Sequence, residues 1–204
     1  MGFLGASCTF TRFRIVDPIP PDLWPAIPDK LKQFCFRDID AIPEERSWGW
    51  ACFDDMLDTA WRSAPPEKGA YLAFAFRLDT RRIPPGVLKK HVLIALREEK
   101  DHIREQGKKF IARARKAELR DQVRLRLMQR FLPIPAVFEV IWAMDSSRVY
   151  LASNNTKLID LFMDHFTLSF DLRLEALTPY GLAAAMLDET AMRRTDSLEP
   201  TKFI

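Results

Sequence analysis

Cysteine is scarce: Cys8, Cys35 and Cys52 are the only three in 204 residues. An odd number at wide spacing argues against a disulfide frame or a zinc site, so they read as buried thiols of a reducing compartment. Long apolar runs are missing as well. Nothing approaches the roughly 18 residues of a membrane span, and no charged segment followed by an apolar one marks a secretory signal. MGFLGAS departs from the myristoylation pattern, because Ala6 stands where Ser or Thr is required. These absences predict a cytoplasmic chain with no membrane attachment.

The motifs of common enzymes are absent too. There is no GxxxxGK[ST], GxGxxG or GxSxG, which argues against a P-loop, a dinucleotide fold and an α/β-hydrolase. His91, His102 and His165 are scattered without HExxH or any other ligand spacing. The stretch FDDMLD offers Asp54, Asp55 and Asp58. Paired carboxylates can hold Mg²⁺ in a nuclease, and helical spacing would put Asp54 and Asp58 on one face. No further acidic motif supports them, and a solvated helix start explains them as well. The expectation is a protein without catalytic residues, metal or cofactor, with a metal-dependent exonuclease as the lesser rival. Trp48, Trp50, Phe53 and Trp61 offer surfaces on which bases stack, but aromatics at this density also read as core.

What the sequence does have is segregated charge. The net charge is only +3, yet residues 81–130 hold sixteen basic and six acidic side chains. GKKFIARARKAELRDQVRLR, from Gly107 to Arg126, sets eight Lys or Arg against Glu118 and Asp121. Projected on a helix over 108–132, Lys109, Arg113, Lys116, Arg120 and Arg124 share one stripe. An apolar stripe of Phe110, Ala114, Ala117, Leu125, Met128 and Leu132 lies beside it. Burial of the apolar stripe explains why such a helix would hold. It does not explain the basic one, since like charges four apart repel and an exposed face normally mixes signs. A solvated face, an acidic protein partner and a row of DNA phosphates all remain open as readings; a coiled-coil or membrane-surface helix is weaker, since Trp is absent from the segment and its heptads are not sustained. Arg forks suit phosphate oxygens. The candidate phosphate contacts are Lys108, Lys109, Arg113, Lys116, Arg120, Arg124, Arg126 and Arg130.

Around this segment the pattern mixes strands and helices. ASCTFTRFRIV (6–16) and AYLAFAFRLD (70–79) read as strands, PIPPDLWPAIP (18–28) is too proline-rich to be helical throughout, and a short helix fits 28–36. Residues 42–63 are ambiguous. Pro85 opens a helix with Leu88, Val92, Ala95 and Ile103 near one face, and Gly107 interrupts or kinks it. PAVFEVIWAM (135–144) and RVYLAS (148–153) form a hairpin across Asp145-Ser146-Ser147. A helix over 154–166 is capped by Asn155 or Thr156, SFDLRLEALT (169–178) returns as a strand, Pro179 starts a last helix, and TDSLEPTKFI is expected to be poorly ordered. The predicted fold is α+β, with antiparallel or mixed sheets, packed helices and a projecting basic arm. The arm covers 85–132, and the body comprises 1–84 and 133–204.

Several segments in order resemble the bacterial recombination-associated protein RdgC family: the aromatic strand with Arg12, Gly49-Trp50, RRIPPGVLKKHV, Glu118-Leu119-Arg120-Asp121-Gln122-Val123, Leu127-Met128-Gln129-Arg130-Phe131, Trp142-Ala143-Met144-Asp145 and Leu151-Ala152-Ser153. The likeness runs over about residues 5–180. It implies a non-enzymatic, sequence-nonspecific duplex-DNA-binding protein of the nucleoid. It also implies a homodimeric ring with a positive central hole that limits access of the RecA recombinase. The family's C-terminal third has no counterpart here, so an open clamp or a different dimer is also implied. Phe131 stands where the family's tip or dimer contact lies, although Gln129 replaces its proline.

Overall fold

The computed structural model describes residues 2–105, 107 and 110–199. The two longest strands, β4 (Tyr71–Thr80) and β5 (Ile134–Ala143), pair antiparallel along their whole length, from Tyr71 opposite Ala143 to Thr80 opposite Ile134. They are flanked by β2 (Arg46–Cys52) on one side and by β6 (Arg148–Leu151), β1 (Thr11–Ile15) and β7 (Leu174–Ala176) on the other. The order is β2-β4-β5-β6-β1-β7, and a two-residue β3 (Glu67–Lys68) pairs with β4 beyond the end of β2. All these ladders are antiparallel, and with six helices among the described residues the fold is α+β.

Alternation along β4 sends Leu72, Phe74 and Phe76 to one face of the sheet. Against that face α1 (Leu23–Gln33) lays Leu23, Ile27 and Leu31, and α4 (Thr156–Phe170) lays Leu158, Phe162, Phe166 and Phe170. Spacings of four put each set on one side of its helix. Trp50 is fully buried at the centre, its ring 4.6 Å from His165 and 5.1 Å from Phe74. Its Nε1 donates to Ser169 Oγ at 2.8 Å, and that hydroxyl donates to the His165 carbonyl at 2.7 Å. Trp50 is therefore a core residue, closed to any base.

The other side of β4, with Ala73, Ala75, Arg77 and Asp79, is buried as well. The chain between Cys35 and Ser63 folds over it. Gly49 permits the crossing, because a Cβ there would overlap the backbone of Cys35 and Phe36, and Cys35 bridges Trp50 in parallel fashion. Arg81, also buried, ends this layer: its guanidinium donates to the carbonyls of Ile39, Asp40, Ile42 and Glu44. It belongs to the basic block by sequence only.

Four local expectations change. α1 begins at Leu23, well before 28. Pro25 falls in its first turn, where a missing N–H costs nothing, and burial of three apolar side chains holds the helix through Pro28. Residues 53–62 form turns and bends, so Asp54 and Asp58 share no helical face. α4 runs on to Phe170 and ends at Asp171 with φ 57°, leaving β7 only three residues of the stretch read as a strand. TDSLEPTKFI begins inside a short helix, α6 (Glu189–Asp196), which follows α5 (Pro179–Met186), and residues 200–204 lie outside the described ones. Among the described residues no helix is long and apolar enough to cross a membrane.

Candidate nucleic-acid interface

Between Thr80 and Ile134 the chain leaves the sheet as a helical hairpin. α2 (Pro85–Glu105) runs outward for about 31 Å, at 1.5 Å per residue, and α3 (Arg113–Met128) returns beside it. Gly107, with φ 74°, takes the left-handed conformation that stops a helix at little cost to glycine. Helix therefore resumes only at Arg113, and Phe110, 87% exposed, lies at the far end of the arm.

The later start changes the apolar stripe. Leu119, Val123, Leu127 and Met128 are buried, whereas Leu125 and Leu132 of the expected stripe are 56% and 74% exposed. The row 119-123-127 faces α2, which answers with half-buried Leu88, Val92, Ala95, Leu96 and Ile103. One ion pair fastens the two helices: Arg115 Nε donates to Glu99 Oε1 at 2.8 Å, and its Nη1 lies 3.0 Å from Glu118 Oε2. The hydrogen bond from Arg115 holds the Glu99 carboxyl below its ordinary pKa. A carboxylate lowered on folding contributes stability that is present above its unfolded pKa, about 4.3, and is lost as pH falls through the folded value. Amide exchange should accordingly show α2 protection falling below about pH 4.3, and Glu99→Gln should weaken protection at neutral pH and flatten that dependence.

The hairpin has two unlike sides. Antiparallel right-handed helices packed face to face turn the same sense of rotation toward the same side of the pair. At 3.6 residues per turn, Lys89 and Lys100 of α2 project to the side that carries Arg113, Lys116, Arg120 and Arg124 of α3. Glu98 and Glu105 project to the other, with Glu118 and Gln122. All ten are exposed. The second side also holds a crevice lined by Glu98, Glu99, His102, Gln122 and Arg126. Of these ten, the charges on one side are all basic and those on the other are acidic; Asp121 lies on the outer face between the two.

The sequence candidates divide on this geometry. Arg113, Lys116 and Arg120 are exposed on the basic side and have no ion-pair partner among the described residues. Arg124 belongs to the same row, but its Nη2 is 2.7 Å from Glu45 Oε2 on the body. Arg126 lies on the opposite flank, so it does not join the row. Arg130 sits in the turn after α3, and half-buried Phe131 is at the root of the arm, not at its tip. Lys108 and Lys109 lie outside the described residues. Lys89 and Lys100 are absent from the sequence candidates because their place beside α3 follows from tertiary pairing; only the charge count over 81–130 hinted at them.

Among the described residues Glu45 is the one carboxylate paired with this row. Glu45→Gln should release Arg124, raising duplex affinity several-fold at low salt and steepening the salt slope by about one. Salt-titrated anisotropy on random duplex measures both.

The acidic candidates do different work. Asp54 pairs with Lys68 at 2.8 Å, and Asp55 accepts from Leu57 N. Asp58 accepts from both the backbone N and the hydroxyl of Ser63, which lower its pKa to about 2. Asp55 and Asp58 thus pin their own loop, and Asp54 ties it to β3. Among the described residues no group of three His, Cys, Asp or Glu is placed to hold a metal ion.

No protein-family model matches the chain, and no curated protein matches it either. The likeness to the RdgC family therefore rests on the segments quoted above.

Proposed function

We propose that this protein binds duplex DNA without sequence preference through the basic side of its arm. One observation carries the reading: Lys89, Lys100, Arg113, Lys116 and Arg120 stand exposed on one side of the hairpin, without ion-pair partners among the described residues, while Glu98, Glu105 and Glu118 project to the other. A solvated surface gains nothing from this separation, since mixed signs stabilise a helix better. A polyanion does. From Arg113 to Arg124 the row spans roughly 16 Å of helix, about five base-pair steps of duplex. Contacts of this kind go to phosphates and position a protein without reading bases.

The biological role that fits is occupancy. A homodimer bringing two basic sides together would neutralise roughly six to ten phosphates, and its affinity would fall about 10³–10⁵-fold between 50 and 200 mM salt. A protein lying on duplex in this way limits access of a RecA-type recombinase by covering its track, with no bond made or broken. Mobility shift of random duplex against salt tests the reading. Retardation with a steep salt slope supports it. Absence of any shift at 50 mM salt would transfer the basic side to an acidic protein partner.

A further inference from the structure

We infer a second binding site, for a single nucleotide unit, at the root of the arm on the helix-covered face of the sheet. Toward the arm end of β4 and β5, Leu78 and Phe138 are only half-buried. The first turns of α4 wall the gap on one side with Leu161. The result is a cavity of about 380 Å³, within the size range of small-molecule sites. Its floor is apolar. Its rim carries Arg46 from β2, Arg82 just past β4 and Lys157 from α4.

Three features select the ligand. All three cations are exposed and come from separate elements, and none has an ion-pair partner among the described residues. No carboxylate lines the cavity, so every charged side chain in its lining is positive. The charge comes from side chains and not from the start of α4, whose first amides, Lys157 N and Leu158 N, already donate to Asn155 Oδ1. An anion is called for by the rim and a planar apolar group by the floor. A nucleotide supplies both, with its phosphate on Arg46, Arg82 and Lys157 and its base over Leu78, Phe138 and Leu161.

The site is distinct from the basic side of the arm and adjoins it. Arg124, the root end of that row, is held by Glu45, the residue before Arg46. The nucleotide is either a free monophosphate or the unpaired end of a strand.

Etheno-AMP, a fluorescent adenine nucleotide, is titrated into the full chain and followed by anisotropy. In parallel, short oligothymidylates carry one ethenoadenine at the end or in the middle. Saturable binding of etheno-AMP, or an anisotropy rise confined to the end-labelled strand, is expected, and which one occurs identifies the source. Arg46→Ala with Lys157→Ala should weaken it at least tenfold, whereas Arg113→Glu with Arg120→Glu should leave etheno-AMP unchanged, which separates failure of this site from failure of the arm. Because both pocket side chains are exposed, circular dichroism should show the variant folded. The proposal is overturned if no probe saturates below millimolar concentration, if Arg46→Ala/Lys157→Ala binds like wild type, or if inorganic phosphate displaces etheno-AMP at equal concentration, since the apolar floor would then contribute nothing.

Discussion

Reversing Arg113 and Arg120 together to glutamate is expected to release duplex DNA. Both side chains are exposed and unpaired among the described residues, so the folded state loses no contact and the melting temperature should stay where it is. The complex loses two cationic contacts and gains two repulsive ones. The salt slope should shrink by about two, and affinity at low salt should fall on the order of 10²-fold, equally for every sequence. Arg126→Glu makes the informative contrast. Set against the single reversal Arg120→Glu, it makes the same change of charge on the same helix, but on the side that carries Glu98 and Glu118, and duplex binding should fall far less. A mobility shift that treats the two alike would mean that net charge matters and the face does not. A double variant that holds duplex as tightly as wild type would remove the arm from the interface altogether.

The largest stability effect is expected from Asp79→Ala. Asp79 and Arg77 lie two apart on β4, on the face covered by the segment from Cys35 to Ser63, with side chains only 3% and 9% exposed. Their pairing is bidentate, Arg77 Nε to Oδ1 at 2.8 Å and Nη2 to Oδ2 at 2.7 Å. The guanidinium also sits 4.0 Å from the centre of the Phe36 ring and donates to the Met56 carbonyl. Such a pair is worth little against two well-packed apolar side chains, because both ions have been stripped of water. Removing one partner is another matter, for it leaves a buried guanidinium without its bidentate acceptor and with only the weaker influence of Asp38 and Asp40, at a cost of about 3–5 kcal/mol. For a chain of this size the melting temperature should fall by roughly 6–20 °C. Replacing both residues by leucine should recover much of the loss. Calorimetry that finds Asp79→Ala within a degree or two of wild type would show that water reaches Arg77.

The parts of the fold that sequence disclosed are those decided locally. The strand β4, the turn at Asp145–Ser147 with Ser147 at φ 51°, and the Asn155 cap each depend on a few adjacent residues. The surprises are tertiary. α1 forms across two prolines because Leu23, Ile27 and Leu31 have a sheet to bury against. Asp58 reads as a helical acid until Ser63 folds back onto it. The basic stripe was visible in sequence, but not its division. Arg124 meets Glu45 from far along the chain, and Arg126 parts from its neighbours only once α2 is known to lie against α3. The cavity at the root draws Arg46, Arg82 and Lys157 from three distant places, and no local pattern could announce it.

The ladder joining Thr80 to Ile134 has a consequence for how the chain assembles. The most extensively paired strands are separated by the entire arm, and closing a floppy loop of that length is entropically costly. Helices form from near-neighbour contacts and therefore early. Once α2 and α3 lie side by side, they bring the two strand ends together like a folded ruler, so that central pairing can zip from the root outward. The segment that reaches away from the finished body is thus placed to splint it during construction, and substitutions in the α2–α3 contact are expected to slow folding more than they speed unfolding.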